Sequence, residues 1–189
     1  MHVYGTRKLM MLYGPPAVGK LTVGKELEKR LSASLCLNHL TYDLATALLA
    51  ADSTFHTRRQ FDCRLRLGAM ALLFESDHRD VITTFCYGGP DDDWYIDALQ
   101  ALCAEHRTRP YFVQLRARND QLIDRVENVD RRAFGKVNSC VQLAAILQEC
   151  AYLVPIRADK HVCIDTSELS PRDAAVAIVR WSDAPSSDA

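Results

Sequence analysis

At 189 residues, 48% hydrophobic and 25% charged, the sequence has the size and balance of one globular domain with a single buried core. A formal net charge of −1 provides no excess of positive charge for a nucleic-acid or membrane-surface role. The seven cysteines, at 36, 63, 86, 103, 140, 150 and 163, form no C-x-x-C pair, and the six histidines show no metal spacing, which excludes the common zinc and dithiol signatures.

Most cysteines lie in apolar runs and read as reduced and buried. The polar start, Met1 to Lys8, lacks the apolar core of a signal peptide, and no apolar run is long enough to span a bilayer. The chain therefore reads as cytoplasmic, with neither a nucleic-acid nor a membrane partner, and as a monomer or homodimer.

In chain order, Leu9 to Tyr13 is a short apolar run ended by Gly14-Pro15-Pro16, which predicts a buried strand. Leu21, Leu27 and Leu31 then recur at helical spacing. Leu35 to Leu37 predicts a second strand, followed by helices near 41–50 and 57–75. The longer of these carries Phe61, Leu65, Ala69 and Leu72 on one face. Val81 to Phe85 is β-branched and apolar, a third strand broken by Gly88-Gly89-Pro90. Asp91, Asp92 and Asp93 read as a turn into an Asp-capped helix over about 93–106 with Trp94, Ala98, Leu102 and Cys103.

Tyr111 to Leu115 is the fourth strand, with Asn119 or Asp120 capping the next helix. The stretch from Asn128 to Asn138 is polar and aperiodic. Helical spacing resumes at Cys140, Leu143, Ala144, Leu147 and Ala151. His161 to Asp165 is a fifth strand, and Ser170-Pro171-Arg172-Asp173 opens a last helix. Residues 182–189 read as a frayed tail after a domain of 1–181. Alternating strands and helices imply an α/β fold: a three-layer arrangement with a five-stranded parallel sheet, whose ligands bind at the carboxyl ends of the strands.

The residues after the first strand, Gly14-Pro15-Pro16-Ala17-Val18-Gly19-Lys20-Leu21-Thr22, form a phosphate-binding loop of Walker A type. Its glycines let backbone N–H groups turn inward, and the following helix start adds partial positive charge. Lys20 is placed to bridge the β- and γ-phosphates. The usual hydroxyl after the lysine is replaced by Leu21 and comes one place later, at Thr22. This variant resembles the loop of adenylate kinases, in which the threonine contacts phosphate and the magnesium is held largely by waters and the nucleotide.

Four motifs together, Gly14 to Lys20, Asn38-His39-Leu40-Thr41, Glu127-Asn128 and Ile164-Asp165-Thr166 with Ser170-Pro171, resemble a set of small bacterial shikimate-kinase-like P-loop proteins. More broadly the layout is similar to the nucleoside-monophosphate-kinase-like group of P-loop kinases. The resemblance implies the P-loop NTPase fold with a small lid near 126–139, and a cytoplasmic transferase. Its cofactors would be ATP and Mg2+, and it would pass the γ-phosphoryl group to a small-molecule acceptor. A nucleoside monophosphate kinase and a non-catalytic ATP-binding regulatory module are the alternatives.

On that resemblance, Gly14, Pro15, Ala17, Val18, Gly19, Lys20, Leu21, Thr22 and Thr166 would bind nucleotide, with Thr22 near the metal, directly or through water. Asn38, His39, Arg58, Gly88 and Gly89 would line the acceptor pocket, with Arg59 and Arg64 on the same helix as Arg58. Arg125 and Arg132 would bring charge from the lid. Asp43 reads as a base, a metal-shell group or an acid in a helix capped by Thr41. The third strand ends without the acid of a Walker B sequence.

Overall fold

The structure is a computed structural model that describes residues 7–76, 79–126, 139–149 and 151–184. The chain runs β1 (Lys8–Tyr13), α1 (Lys20–Leu31), β2 (Ser34–Cys36), α2 (Asn38–Leu48), α3 (Phe55–Ser76), β3 (Val81–Phe85) and α4 (Asp93–Glu105). It continues through β4 (Arg109–Arg116), α5 (Asn119–Val126), α6 (Cys140–Glu149), β5 (His161–Asp165) and α7 (Pro171–Asp183). All five strands are parallel, in the order β2-β3-β1-β4-β5.

The central strand shows why the sheet is covered on both sides. Alternate residues point to opposite faces. Met10 and Leu12 enter one apolar cluster with Val23 and Leu27 of α1 and Ala174 and Ile178 of α7. Leu9, Met11 and Tyr13 enter a second with Met70 and Phe74 of α3 and Leu99 of α4. Three layers result, as the alternation of elements predicts, and the carboxyl ends of the strands form one edge.

Several local expectations are corrected. Helix α2 begins at Asn38, directly after the extended Leu37, because the Asn38 N–H finds its partner outside the helix, in the Thr84 hydroxyl at 3.1 Å. Thr41 is therefore an interior residue of α2 and not its cap, and Asp43 falls in the second turn. Helix α3 does not bury the face of Phe61, Leu65, Ala69 and Leu72. Its buried residues are Asp62, Cys63, Arg66, Met70 and Phe74, while Leu72 is 66% exposed. An internal ion pair between Asp62 and Arg66 turns a charged stripe inward. In α4 the buried residues are Tyr95, Ile96, Leu99 and Cys103, leaving Trp94 on the surface.

Asp92 precedes α4 but makes no side-chain cap, since its carboxylate is drawn to Arg59. Helix α7 runs through Asp183, past the expected end of the domain at 181, because Lys8 Nζ holds Asp183 at 2.5 Å and the Ser182 hydroxyl donates to Val179 O. The six described cysteines are unbridged. Cys63 and Cys103 are buried as expected, whereas Cys163 is exposed. No helix among the described residues is long and apolar enough to cross a membrane.

Candidate active site

The loop between β1 and α1 is concave. Gly14 has φ +140°, and a Cβ there would lie 2.3 Å from the Leu115 carbonyl oxygen of β4, so only glycine lets the loop pass this close to the sheet. Ala17 and Gly19 also have positive φ, at 68° and 99°. Such alternation turns successive N–H groups toward one side and makes an anion-binding hollow. Helix α1 has no side-chain cap and no acid in its first turn, so its amino end keeps its partial positive charge facing the hollow. Lys20 Nζ donates to Gly14 O and Pro15 O, 2.7 Å each, which folds the ammonium against the loop.

On the β4–β5 side, Thr166 is 4% exposed. Its hydroxyl lies 3.1 Å from the carbonyls of both Val18 and Arg116, and its own N–H donates to Arg116 O. Arg125 donates to Thr166 O at 2.7 Å and to the Thr166 hydroxyl at 3.2 Å. Thr166 is the expected nucleotide-binding residue after β5, and Arg125 is one of the two expected lid arginines. Here Thr166 locks the loop after β5 onto the phosphate loop, and Arg125 braces Thr166. The other expected lid arginine, Arg132, and most of the lid lie outside the described residues.

On the β2–β3 side, Asn38 opens α2 after β2, with β3 between it and the phosphate loop. His39 follows it, half-buried. Asp43 is exposed and lies about 140° round the helix from Asn38. The fold therefore does not bring it to Asn38. The start of α3 contributes three arginines in different states. Arg64 is exposed. Arg59 donates through Nε and Nη2 to the two Asp92 oxygens at 3.1 and 2.8 Å, and through Nη2 to Cys86 O at 2.7 Å. It also lies over the Phe85 ring, 4.3 Å from its centroid. Arg58 is half-buried, and its buried Nε has no hydrogen-bond partner among the described residues.

Gly88 and Gly89 were expected to let an acceptor approach the backbone. Gly88 N–H donates to Asp92 Oδ2 at 2.7 Å, and its carbonyl accepts from Ala151 N–H at 2.9 Å. Gly89, at φ +121°, makes the turn, with space for a Cβ limited by Ala151 at 3.2 Å.

Two features were missed by sequence reasoning. One is the Arg66–Asp62 pair, which the i, i+4, i+8 recurrence of Arg58, Asp62 and Arg66 could have signalled. The other is the segment after α6, which crosses the carboxyl edge of the sheet. Gln114 Nε2 donates to Tyr152 O at 3.2 Å, Arg116 Nη2 donates to Leu153 O at 2.9 Å, and Ile156 N–H donates to the Tyr13 hydroxyl at 3.0 Å. The Tyr13 hydroxyl lies 2.7 Å from His161 Nε2. The same hydroxyl accepts from Ile156 N–H, so Tyr13 ties the segment after α6 to β5. Burial first, and then the nearby Arg116 charge, hold the His161 pKa below its ordinary value. Burial likewise pushes Tyr13 up to about 12.

Among the described residues no group of three His, Cys, Asp or Glu could hold a metal, and β3 runs into Cys86 without an acid. The exposed Thr22 in the first turn of α1 is the one hydroxyl of the loop. This donor set fits a hard cation carried by phosphate oxygens and water, with Thr22 as a single protein ligand or water anchor.

The RapZ-like N-terminal domain family matches residues 90–184. No curated relative matches the sequence. Among solved structures, a sugar kinase from Janibacter sp. is similar with a TM-score of 0.68 and 14% identity, over 94% of this chain and 95% of its own. The APS kinase of Mycobacterium tuberculosis, solved with AMPPNP and APS, gives a TM-score of 0.63 and 14% identity over 95% and 99%. The shikimate kinase of Acinetobacter baumannii, solved with shikimate, gives 0.57 and 21% over 94% and 93%. At these identities the likeness is one of fold: the chain has the fold of P-loop kinases.

Proposed function

Starting from a chain that belongs to the RapZ-like N-terminal domain family and shares the P-loop kinase fold, we propose that it binds ATP and transfers the γ-phosphoryl group to a small-molecule acceptor. The observation that carries this reading is the phosphate loop itself. Three positive-φ residues, an uncapped helix start and Lys20 all converge on one hollow. In this mechanism the loop amides and the α1 terminus hold the phosphates. Lys20 exchanges the Gly14 and Pro15 carbonyls for phosphate oxygens, at little reorganisation cost because it already lies against the loop. A magnesium ion arriving with the nucleotide would neutralise charge on the β- and γ-oxygens, with Thr22 beside it.

Phosphoryl transfer needs little covalent help from the protein, so positioning and electrostatics dominate. Thr166 and Arg125 fix the loop that borders the nucleotide side. The acceptor would enter on the opposite side, against Asn38, His39 and Arg58. No proton transfer is assigned to Asp43, which lies off this face.

A second reading, ATP binding without transfer, draws on one observation: neither the end of β3 nor position 21 carries the acid or hydroxyl that usually attends the metal. ADP release, measured against a broad panel of small acceptors with wild type and Lys20→Ala, decides between them. The kinase reading expects at least one acceptor to give turnover that Lys20→Ala lowers about 10²-fold or more. ATP binding with no acceptor-dependent release above the variant would favour the second reading.

A further inference from the structure

The first half of the inner face of α3 is charged where a core face is ordinarily apolar. Arg66 is 1% exposed and Asp62 is 0% exposed. Burying two charges strips both of their water, a loss their mutual attraction offsets only with further hydrogen bonds. Those bonds converge on Asn38. Arg66 Nη1 donates to Thr84 O at 2.8 Å, fixing the guanidinium to β3. Its Nη2 donates to Asn38 O at 3.0 Å and also to Asn38 Oδ1. Asp62 Oδ2 lies 3.6 Å from the same Nη2, and Asp62 Oδ1 accepts from the Thr41 hydroxyl at 2.5 Å. That hydroxyl is in turn 3.3 Å from Asn38 O.

A guanidinium has donors and no acceptor, so a carboxamide can meet it only through oxygen. The orientation of the Asn38 amide is therefore set by chemistry: Oδ1 faces Arg66 and Nδ2 faces away. Asn38 is half-buried, and no group among the described residues accepts from Nδ2. The surface at the start of α2 thus offers donors.

We propose that Arg66 is a positioning residue: buried beside Asp62, it holds the Asn38 carboxamide with its NH2 group turned to the acceptor side, so that the site takes an oxygen lone pair at this point and disfavours a ligand that offers a donor there. The location of the acceptor rests on the kinase reading; the locked amide does not.

Asn38→Asp tests it, because a carboxylate has the same shape, keeps the bonds to Arg66, and replaces both donors with an acceptor. In 15N-labelled protein, the side-chain NH2 pair that vanishes in Asn38→Asp belongs to Asn38. The proposal expects that pair to exchange rapidly with water in wild type. It also expects Asn38→Asp to melt at or above the wild-type temperature, while Asn38→Leu melts well below it. A protected pair, or an Asn38→Asp variant as unstable as Asn38→Leu, overturns the proposal. Arg66→Met should give the Asn38 pair two sets of signals and Arg66→Lys one. If Arg66→Met does not fold, the Asn38 variants still decide.

In the ADP-release panel, an acceptor that wild type phosphorylates should lose about 10- to 100-fold in kcat/KM with Asn38→Asp, at unchanged KM for ATP. An unchanged kcat/KM overturns the proposal. A wild type that phosphorylates nothing counts against the kinase reading alone, and the exchange and melting results then judge the locked amide.

Discussion

Asp92→Asn should be among the most damaging single changes outside the phosphate loop. The two Asp92 oxygens accept from Arg59 Nε and Nη2, and Oδ2 also accepts from Gly88 N–H at 2.7 Å. The pair is nearly dry, with side-chain exposures of 16% and 10% for Arg59 and Asp92. An asparagine must place an NH2 group where an oxygen stood, so it faces a donor on either side and leaves the Arg59 charge unmatched. Removing one member of a buried pair costs about 3–5 kcal/mol. For a chain of this size that corresponds to a fall in Tm of roughly 6–20 °C.

Urea denaturation followed by circular dichroism measures the loss directly. Arg59→Met, Asp92→Leu and the double variant complete a cycle. The double variant should cost less than the sum of the singles by about 1–3 kcal/mol, since it leaves no orphaned charge. A cost below about 1 kcal/mol for Asp92→Asn, or additivity within about 0.5 kcal/mol, would mean that Arg59 and Asp92 are not coupled as a buried pair.

Gly14→Ala should lower affinity for an ATP analogue more than about tenfold and lower Tm as well, because the added Cβ meets the Leu115 carbonyl at 2.3 Å and a backbone atom cannot give way. Titration calorimetry beside a melting curve checks this, and binding within twofold of wild type would contradict it. His161 sets a pH dependence. Its folded pKa lies below the ordinary 6.5, so as pH falls through 6.5 the unfolded chain takes up a proton that the folded chain refuses, and stability is lost until the folded pKa is passed. Stability of His161→Gln, measured by urea melts between pH 7.5 and 5, should fall less steeply than that of wild type; equal slopes would exclude the histidine as the cause.

The phosphate loop was legible because its demands are local. Gly14, Gly19 and Lys20 are fixed by backbone reach and charge, whatever surrounds them. The five strands were legible as short apolar runs between breakers. The burial faces of α3 and α4 were not. Phe61, Leu65, Ala69 and Leu72 form the better apolar stripe by spacing, yet α3 turns Asp62 and Arg66 inward, because they satisfy Thr41, Asn38 and Thr84 O from other elements. A partner 28 residues away, as Asn38 is from Arg66, leaves no trace in local periodicity. The same holds for Asp92, which reads locally as a helix cap and is drawn across to Arg59, and for the bond from the Thr166 hydroxyl to Val18 O, 148 residues away.

A crystal grown with a non-hydrolysable ATP analogue and magnesium would show whether the loop after β1 holds the phosphates. The β- and γ-phosphates should lie within hydrogen-bond reach of the amides of residues 14–22, with Lys20 Nζ moved from the Gly14 and Pro15 carbonyls, where it now lies at 2.7 Å, onto phosphate oxygens. An analogue bound elsewhere, or one seated in the loop with Lys20 still on those carbonyls, would contradict that placement.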